Sequence, residues 1–381
     1  MVAGKYLTLS NLPLTLAARA GDAGAMTRES EAAPTAIAPR PVPVGLDRQP
    51  FRSALVSRRP AAGAGAYAAL LVVWVFWGST YVALRVGDES IPPFAMSAVR
   101  YLLAGAILFP VARRYGRPGG TSQPAAGEPA TGEPVTGQPV TGQPEASRPG
   151  LRQWLSTAIV GTMLLAFGNG AVTYAEKTIP AGLAALLVAS VPLWMVLADR
   201  VINRNRLPVV AWAALLAGIG GIAILARPNG HSPVLPVLIV LGGALSWGTG
   251  SVLAGRLPMP ARPLLASAME MLCGGAVLVL LATMTGELGA VHPSAVSGRS
   301  LFALLWLIGP GSLLAMTCYV LALRRLPMAT VSTYAYVNPV IAVGLSVLLL
   351  GERLTTTTLI GGAVIVGCVA VLLVSQSRQR S

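Results

Sequence analysis

The stretch Ser97-Ala98-Val99-Arg100-Tyr101-Leu102-Leu103-Ala104-Gly105-Ala106-Ile107-Leu108 decides the fold, because a related stretch follows it 170 residues later. The second copy reads Ser267-Ala268-Met269-Glu270-Met271-Leu272-Cys273-Gly274-Gly275-Ala276-Val277-Leu278. The same spacing carries Trp77-Gly78 onto Trp247-Gly248. A spacing that holds over separate segments indicates an internal duplication. At the aligned centre one copy has Arg100 and the other has Glu270, two charged side chains deep in apolar sequence.

The composition of the chain is that of a membrane protein. Hydrophobic residues make up 54% of the 381 residues and charged residues only 11%, with a mean hydropathy of +0.66. Soluble domains contain about 25% charged residues, and about 20 apolar residues allow one helix to cross a bilayer. Apolar runs of this kind lie at about 66–85, 92–112, 154–174, 180–199, 208–226, 234–254, 264–284, 301–322, 328–350 and 357–375. We therefore predict an all-α membrane protein with ten transmembrane helices.

A second spacing extends the duplication through the rest of each half. Pro180 corresponds to Pro327 and Pro192 to Pro339, each 147 residues later. Each half then holds five helices, and because five is odd, the second half enters the membrane with the opposite orientation. Two inverted repeats are typical of secondary transporters, which bind substrate near the midplane between the halves. We predict one repeat at residues 63–228, another at 232–376, and a cytoplasmic C-terminus at 377–381.

Two segments have compositions that do not suit the helical core. Residues 1–62 are rich in Ala, Pro and Arg, and we expect a disordered cytoplasmic tail without a cleavable signal peptide, starting at Met1 or Met26. Within residues 115–150, Gly127-Glu128-Pro129-Ala130-Thr131 begins a five-residue rhythm that predicts a flexible cytoplasmic insert. This composition favours a spacer and leaves open a role in binding a partner.

The net charge of +14 follows the loops and does not indicate a nucleic-acid-binding surface. With the N-terminus inside, the basic residues of the outer loops are Arg85, Lys177, Arg227, Arg299 and Arg353. Those of the inner loops and C-terminus are Arg113, Arg114, Arg117, Arg148, Arg152, Arg200, Arg204, Arg206, Arg256, Arg262, Arg324, Arg325, Arg378 and Arg380. Basic loops stay on the cytoplasmic side. We predict a multi-pass cell (inner/plasma) membrane protein with both termini in the cytoplasm and no nucleic-acid partner.

Reactive and metal-binding side chains are scarce in the sequence. Cys273, Cys318 and Cys368 lie in apolar helices, whereas His231 and His292 lie in predicted outer loops. A free Cys in such a helix behaves as a small hydrophobic residue, and no His/Cys cluster has the spacing of metal ligands. An intramembrane enzyme needs a nucleophile with a base, or a metal, at membrane depth. We expect no disulfide, no metal, no cofactor and no enzymatic activity.

Polar side chains in the third and ninth helices indicate a shared cavity. Asn169, Thr173 and Glu176 are spaced i, i+4 and i+7, which places them on one face of the third helix. The ninth helix carries Tyr334 and Asn338 where the first half is apolar. Because polar groups in hydrocarbon are costly without a partner or water, we expect both helices to face one wet cavity.

Two prolines are candidates for bends near this cavity. Pro192 in the fourth helix and Pro339 in the ninth each lack a backbone donor. Each should bend its helix and free the carbonyl four residues earlier, which belongs to Val188 or Ala335. The freed carbonyl oxygens are candidate substrate ligands, and a simple packing kink is an equal alternative.

Arg100 and Glu270 are the candidate charge and coupling residues. Arg100 lies about 13 Å from the outer surface and Glu270 about 10 Å from the inner surface, on opposite sides of the midplane. In one interpretation, neighbouring carbonyl or hydroxyl groups form hydrogen bonds with each of these side chains, and neither has a role in transport. In the other, Arg100 holds an anionic group of the substrate and Glu270 binds a coupling proton, because ionisable groups at membrane depth are functional candidates. Glu176 is a second proton candidate, or a solvated helix end beside Lys177.

Short motifs recur in a fixed order along both halves. They are Trp77-Gly78-Ser79-Thr80-Tyr81, Pro92-Pro93 with Arg100, Gly168-Asn169-Gly170-Ala171-Val172-Thr173-Tyr174-Ala175-Glu176, Ser246-Trp247-Gly248, Met269-Glu270-Met271-Leu272, Tyr334-Ala335-Tyr336-Val337-Asn338-Pro339 and Gly351-Glu352-Arg353-Leu354. In this order they resemble the EamA family of the drug/metabolite transporter superfamily, in its branch of bacterial exporters. The resemblance covers roughly residues 65–375. It implies a ten-helix, alternating-access carrier of the inner membrane, often a proton-driven exporter of amino acids or other small metabolites. The tail and the insert depart from the family pattern.

Together these features predict a secondary active transporter, a proton-coupled exporter of small metabolites, amino-acid-like compounds or drugs that works by alternating access. An uptake permease and a non-transporting membrane scaffold or sensor are the alternatives. Helices one, three, six, eight and nine are expected to build the site. The predicted cavity residues are Trp77, Ser79, Thr80, Asn169, Thr173, Tyr174, Trp247, Tyr334, Tyr336 and Asn338. The expected partners are a small-molecule substrate, the lipid bilayer and protons. Small residues such as Ala217 and Gly221 suit packing within the chain or in a homodimer.

Overall fold

The computed structural model describes residues 63–115, 148–204, 207–226, 234–353 and 355–378, and these residues form helices and turns without a β-strand. The helices are α1 (Ala64–Gly87), α2 (Pro93–Tyr115), α3 (Leu151–Ala175), α4 (Ala181–Asn203), α5 (Val209–Ala226), α6 (Val234–Ala254), α7 (Pro263–Met284), α8 (Gly298–Arg325), α9 (Tyr334–Leu350) and α10 (Thr356–Arg378). The predicted tail, most of the predicted insert and residues 379–381 lie outside the described residues.

These helices lie within a few residues of the ten apolar runs. In the described part of the chain, eight helices are long and apolar enough to cross a membrane. The remaining two, α5 and α9, are shorter apolar helices. That all ten cross the membrane therefore stays a prediction at α5 and α9.

A wide, π-helical stretch occurs at corresponding positions of α3 and α8. It runs over Thr162–Asn169 in α3 and over Gly309–Leu314 in α8. Thr162 and Gly309 are 147 residues apart, which is the spacing of the duplication. π-Helical turns are rare and are frequent at functional sites. Because both halves carry the stretch from the same position onward, it belongs to the repeat and not to one half.

Helix α4 is interrupted near its proline, whereas α9 is continuous through its proline and is preceded by a separate short helix. In α4 the segments Ala181–Val188 and Val191–Asn203 are separated by two residues, and Pro192 lies in the first turn of the second segment. A proline there removes no helical hydrogen bond. Before α9 the chain forms a single short helix, Met328–Val331. Pro339 then lies inside α9.

Contacts between α2 and α7 are reciprocal under the duplication. A β-carbon on Gly105 would lie 3.0 Å from Cγ of Leu272, and a β-carbon on Gly275 would lie 2.9 Å from Cγ of Leu102. Gly275 lies 170 residues after Gly105, and Leu272 lies 170 residues after Leu102. The two copies of the opening motif thus pack against each other through the same pair of positions, as in a two-fold arrangement.

The helices that flank this pair repeat the pattern. Gly78 of α1 packs on Ile341 of α9, and its counterpart Gly248 of α6 packs on Trp194 of α4. Ile341 and Trp194 are themselves counterparts, 147 residues apart. α5 and α10 pack side by side through the close approach of Gly221 and Gly361. The contact at Gly221, one of the small residues of helix five, is therefore made within the chain.

Carboxylates of the second half contact the first half at one end of the bundle. We name it the Asp88 end, because Asp88 lies there, directly after α1. Beyond α7, Glu287 Oε2 accepts two backbone N–H groups in the first turn of α2, at 2.8 and 3.1 Å. Beyond α9, the carboxylate of Glu352 accepts the first two N–H groups of α4, at 2.8 and 3.1 Å. Helix N-termini present unpaired donors and partial positive charge, so both contacts stabilise the junction of the halves.

The opposite end, here named the Arg113 end, contains the last turn of α2 and the start of α7. There Arg262 donates a hydrogen bond to the carbonyl oxygen of Arg113 at 3.1 Å. The ring of Phe109 lies 5.9 Å from that of Trp154 at the start of α3. At this end, the hydrogen bond from Arg262 joins the two halves. The aromatic contact joins α2 to its neighbour α3 within the first half.

Candidate functional site

A cavity of about 200 Å³ lies in the middle of the bundle. Eight helices contribute to its lining, namely α1, α2, α3, α4, α6, α7, α8 and α9. No residue of α5 or α10 in the described part of the chain is among the lining residues. The predicted helices one, three, six, eight and nine are thus joined by α2, α4 and α7.

Many lining residues are counterparts of each other. The cavity contacts Trp77 and Trp247, Pro192 and Pro339, and Arg100 with Glu270. The members of each pair are separated by 170 or 147 residues. The two halves therefore enclose the cavity with the same positions. At the pair Arg100 and Glu270, the two halves carry side chains of opposite charge.

Arg100 is held by α8 and by its own helix. Its Nε donates a hydrogen bond to Oγ of Ser312 at 3.0 Å, and its guanidinium lies 4.8 Å from the ring centroid of Tyr101. The residue is 5% exposed. A buried guanidinium over an aromatic face, with part of its donor set unused by these contacts, is able to receive a carboxylate or another anionic group.

Glu270 lies in the cavity wall without a local partner. It is 4% exposed, and its Oε1 has no hydrogen-bond partner among the described residues. Within the same part of the chain, no ion pair joins Glu270 to Arg100. A buried carboxyl group that lacks a cation or a donor is costly to leave unpaired, so Glu270 is available to a ligand in the cavity. Arg100 and Glu270 therefore act as separate groups in this conformation.

Aromatic side chains form much of the remaining wall. Nε1 of Trp77 donates to the carbonyl oxygen of Gly311 at 3.2 Å, which is inside the π-helical stretch of α8. The ring of Trp77 also lies 5.2 Å from Tyr319 and 5.3 Å from Tyr334. The fixed indole and its neighbours form an apolar surface that suits a hydrophobic part of a ligand.

Most predicted site residues line the cavity. They are Trp77, Thr80, Arg100, Asn169, Trp247, Glu270, Tyr334 and Asn338, with the two prolines Pro192 and Pro339. Asn169 lies at the end of the π-helical stretch of α3. Asn338 is 9% exposed, and its Oδ1 has no partner among the described residues. These two amides supply hydrogen-bonding capacity to the cavity from α3 and α9.

Three predicted residues lie outside the cavity because other groups hold them. Ser79 donates to the carbonyl oxygen of Phe76 and accepts from Nε1 of Trp306 at 2.9 Å. The hydroxyl of Thr173 bonds to the carbonyl oxygen of Asn169 and lies 3.2 Å from that of Ser97. Tyr174 points away on the next position of the helix. Its ring stacks on Phe94 at 5.4 Å, and it is 42% exposed.

Two more predicted residues are also absent from the lining. Tyr336 is half-buried and follows Tyr334 by two positions, so a helix turns it to a different face. Glu176 lies one residue beyond α3 and is fully buried. The alternative of a solvated helix end is therefore wrong for Glu176. Arg85 donates to its backbone carbonyl oxygen and helps to cover it.

Five further residues of the cavity wall were not among the predicted site residues. They are Tyr81, Tyr101, Ser267, Ser312 and Met316. Ser267 donates to the sulfur of Met316 at 3.5 Å. Tyr81 follows Trp77 by four positions, so helical spacing could have placed it on the same face. Ser312 gave no such signal, because its counterpart in the first half is the apolar Leu165.

We find no candidate metal-binding site among the described residues. They contain no group of three or more His, Cys, Asp or Glu side chains with the arrangement of a metal site. Cys273, Cys318 and Cys368 are free thiols there. The chemistry that the cavity offers is therefore binding by charge, hydrogen bonding and aromatic contact.

Comparison with known proteins connects this chain with transport. Residues 139–227 and 234–374 match the model of the EamA-like transporter family. The chain belongs to this family. It is 34% identical over 311 residues to the "Uncharacterized inner membrane transporter YedA" of Escherichia coli (strain K12), covering 80% of this chain and 90% of the relative.

A second relative and a solved structure extend the comparison. The "Probable amino-acid metabolite efflux pump" of Salmonella typhimurium is 23% identical over 315 residues, covering 78% of this chain and 91% of the pump. A solved structure described as "Crystal structure of protein" aligns with a TM-score of 0.51 at 20% identity, over 83% of this chain and 99% of its own. The last likeness supports the fold alone. Family and helices together make this EamA-like protein a multi-pass membrane transporter.

Proposed function

We propose that this EamA-like transporter is a secondary active, proton-coupled exporter of small metabolites, amino-acid-like compounds or drugs. It works by alternating access, with ten transmembrane helices arranged as two inverted five-helix repeats. The single observation that carries the proposal is the cavity enclosed by paired positions of both halves. A binding site shared by two repeats can be exposed to either side when the repeats tilt against each other.

The wall chemistry supports an amphipathic substrate that carries charge. Arg100 offers a guanidinium for an anionic group, and Glu270 offers a carboxyl group for a cation or a proton. Trp77, Trp247 and Tyr334 offer apolar surface between them. A molecule with an amino-acid-like head and an apolar body matches this set, and the printed name of the Salmonella relative supports the same class.

Proton coupling is assigned to Glu270. Its carboxyl group lines the cavity, and one of its oxygens has no partner among the described residues. The substrate and a proton therefore both interact with this group, and binding of one affects binding of the other. Export follows if a proton enters from outside as the substrate leaves. Either a shared site or a linked one gives antiport, provided that the doubly occupied state is disfavoured.

The distribution of basic residues supports the orientation. The Asp88 end carries few of them, whereas the Arg113 end carries Arg113, Arg114, Arg256 and Arg262 among others. We assign the Arg113 end to the cytoplasm of the cell (inner/plasma) membrane, with both termini on that side. The Asp88 end then faces outward.

Transport by the purified full-length protein in lipid vesicles tests the proposal. Vesicles preloaded with labelled amino acids, analogues or cationic drugs should release one class faster when the outside is made acidic. Glu270→Gln should lose this acceleration while it retains exchange of the same solute. Glu89→Gln is the matched control, because Glu89 is an exposed residue paired with Arg299 at 3.6 Å.

Two results would count against the proposal. A Glu270→Gln protein that responds to the pH gradient as the wild type does would remove Glu270 from coupling. A wild-type protein that is well folded, yet moves no member of the panel in either direction, would remove export of these compounds. Uptake that depends on an inward solute gradient alone would favour the permease alternative.

A further inference from the structure

We propose that Asp88 and Glu176 form a proton-binding site at the Asp88 end, outside the cavity, and that the bound proton keeps this end closed. The proposal concerns a different place from Glu270. It rests on the proposed function only in assuming that this end opens during the transport cycle.

The two carboxyl groups are buried without partners. Asp88 follows the last residue of α1 and Glu176 follows the last residue of α3. Glu176 is fully buried, and neither of its carboxylate oxygens has a hydrogen-bond partner in the described part of the chain. The same is true of both oxygens of Asp88. Two such groups cannot both carry a charge at low cost.

The nearby cations do not neutralise them by direct contact. Nη1 of Arg85 donates to the backbone carbonyl oxygen of Glu176 and not to its side chain. Lys177 interacts with Asp88 through charge alone. No ion pair between these basic residues and the two carboxyl groups occurs among the described residues. A proton is therefore the simplest ligand that removes the excess negative charge.

The other acidic groups at this end are already used. Glu287, which faces Asp88, caps the first turn of α2, and Glu352, which faces Glu176, caps the first turn of α4. The field of Glu287 acts on Asp88 and that of Glu352 acts on Glu176, and each increases the preference of its neighbour for a proton.

Burial raises the pKa of both carboxyl groups more than the nearby cations lower it. Burial, together with the field of Glu287 and against the fields of Lys177 and Arg85, raises the pKa of Asp88 to about 8. Burial and the nearby Asp88 and Glu352 carboxylates raise the pKa of Glu176 well above its ordinary range, with Arg85 opposing them. With both carboxyl groups buried as they are in this structure, at least one proton is therefore held near neutral pH.

The position of the site explains how its proton can affect the cavity. On α1, Tyr81, Arg85 and Asp88 are spaced i, i+4 and i+7 and share a helix face. Tyr81 lines the cavity and also lies within electrostatic reach of Glu176. Tyr81 and Leu84 are thus the part of the cavity wall that lies next to the site. Opening at this end would bring water to Asp88 and Glu176.

The sign of the pH effect follows from linkage. In water the two carboxyl groups return to ordinary pKa values, so the open end binds fewer protons than the closed end. Low external pH therefore favours the closed end, and this preference is lost as the pH rises from about 4 through about 8. For one proton, the ratio of open to closed protein rises by about tenfold per pH unit within that window.

Infrared difference spectroscopy on the full-length protein in lipid tests the bound proton directly. Between about pH 6 and about pH 9, the wild type should lose the carbonyl band of a protonated carboxylic acid. Asp88→Asn and Glu176→Gln should each remove or shift this titration, whereas Glu89→Gln should retain it. Retention of an unchanged titration in both Asp88→Asn and Glu176→Gln would overturn the site.

Accessibility of the cavity from the Asp88 end tests the closure. A cysteine at Leu84, in a protein whose three native cysteines are replaced by alanine, should react faster with a membrane-impermeant maleimide as the external pH rises. Adding Glu176→Gln should make labelling slow at every pH, because the neutral amide mimics the protonated group. Labelling that shows the same pH dependence with and without Glu176→Gln would overturn the link to closure.

These experiments separate this proposal from the exporter proposal. Neither readout requires a known substrate or transport in a given direction. If no solute is exported but the infrared titration depends on Glu176, the proton site stands and the exporter assignment falls. If export is driven by protons through Glu270 and the infrared titration is unchanged in both Asp88→Asn and Glu176→Gln, the exporter assignment stands and the proton site falls.

Discussion

Gly161 of α3 and Gly274 of α7 lie directly against each other, beside Glu270. A β-carbon on Gly274 would lie 2.6 Å from the carbonyl oxygen of Gly161, and one on Gly161 would lie 2.9 Å from Cα of Glu270. Gly161 is also the residue just before the π-helical stretch of α3. This crossing therefore fixes the backbone of the candidate coupling residue against the wide part of its neighbour.

Alanine at either glycine should separate the two helices. We expect Gly161→Ala and Gly274→Ala each to lower the free energy of unfolding by about 1–3 kcal/mol, as overpacking does. Thermal unfolding in detergent, followed by loss of monodisperse protein, measures the effect. Gly242→Ala on α6 is the matched control, because no heavy atom lies within 4 Å of its added β-carbon. Helix propensity should leave that control as stable as the wild type or slightly more so.

Substitution of Arg100 should reveal its role in binding. Arg100→Ala should raise the KM for an anionic or zwitterionic substrate at least about tenfold, because a charge-assisted bond in a buried site is lost. Arg100→Lys should be intermediate, since it keeps the charge but loses the planar group over Tyr101. Ser312→Ala, which removes the partner at 3.0 Å, should have a smaller effect. Equal KM values for Arg100→Ala and the wild type would exclude Arg100 from substrate binding.

The helix caps at the Asp88 end should contribute measurable stability. Glu352→Gln and Glu287→Gln should each lower the free energy of unfolding by about 0.5–2 kcal/mol, because a neutral amide interacts less well with a helix N-terminus. Urea or thermal unfolding of the purified protein measures this loss. Glu89→Gln breaks only an exposed ion pair with Arg299 and should change stability by less than about 1 kcal/mol. Similar losses in all three variants would contradict the capping role.

The paired tryptophans should respond differently to the same substitution. Trp77→Phe removes the bond from Nε1 to the carbonyl oxygen of Gly311 and should cost about 1 kcal/mol of stability. In the described part of the chain, Trp247 Nε1 makes no such bond, so Trp247→Phe should cost less. Comparison of the two unfolding midpoints checks the difference. A larger loss for Trp247→Phe would mean that packing against Gly168, and not the indole bond, dominates.

The helix positions were predictable from the sequence, as were the two charged residues and part of the polar and aromatic wall of the cavity. Apolar length locates helices because the bilayer sets it, and the two spacings identify Arg100 and Glu270 as counterparts. Asn169 and Asn338 could be identified because a polar side chain inside an apolar run is costly unless it has a partner or faces water. Both line the cavity.

The features that sequence reasoning missed depend on tertiary contacts. Glu176 looks like a helix end beside Lys177, but the folded chain buries it fully, and Arg85 of α1 donates to its backbone carbonyl oxygen. Glu352 caps a helix 170 residues away, and no local pattern indicates its partner. Ser79 and Thr173 have polar side chains of the expected kind, but nearby carbonyl, indole and hydroxyl groups already occupy them.

The π-helical stretches of α3 and α8 give both helices a surplus residue in the middle of their length. Such a wide turn can move along a helix by exchange of neighbouring hydrogen bonds, without the helix coming apart. Each residue that it passes changes its angular phase by about 100°, the rotation between neighbours in an α-helix. Asn169 and Ser312 lie in or at the ends of these stretches. A screw-like slip of one register could therefore exchange the wall of the cavity while the ends of both helices stay anchored.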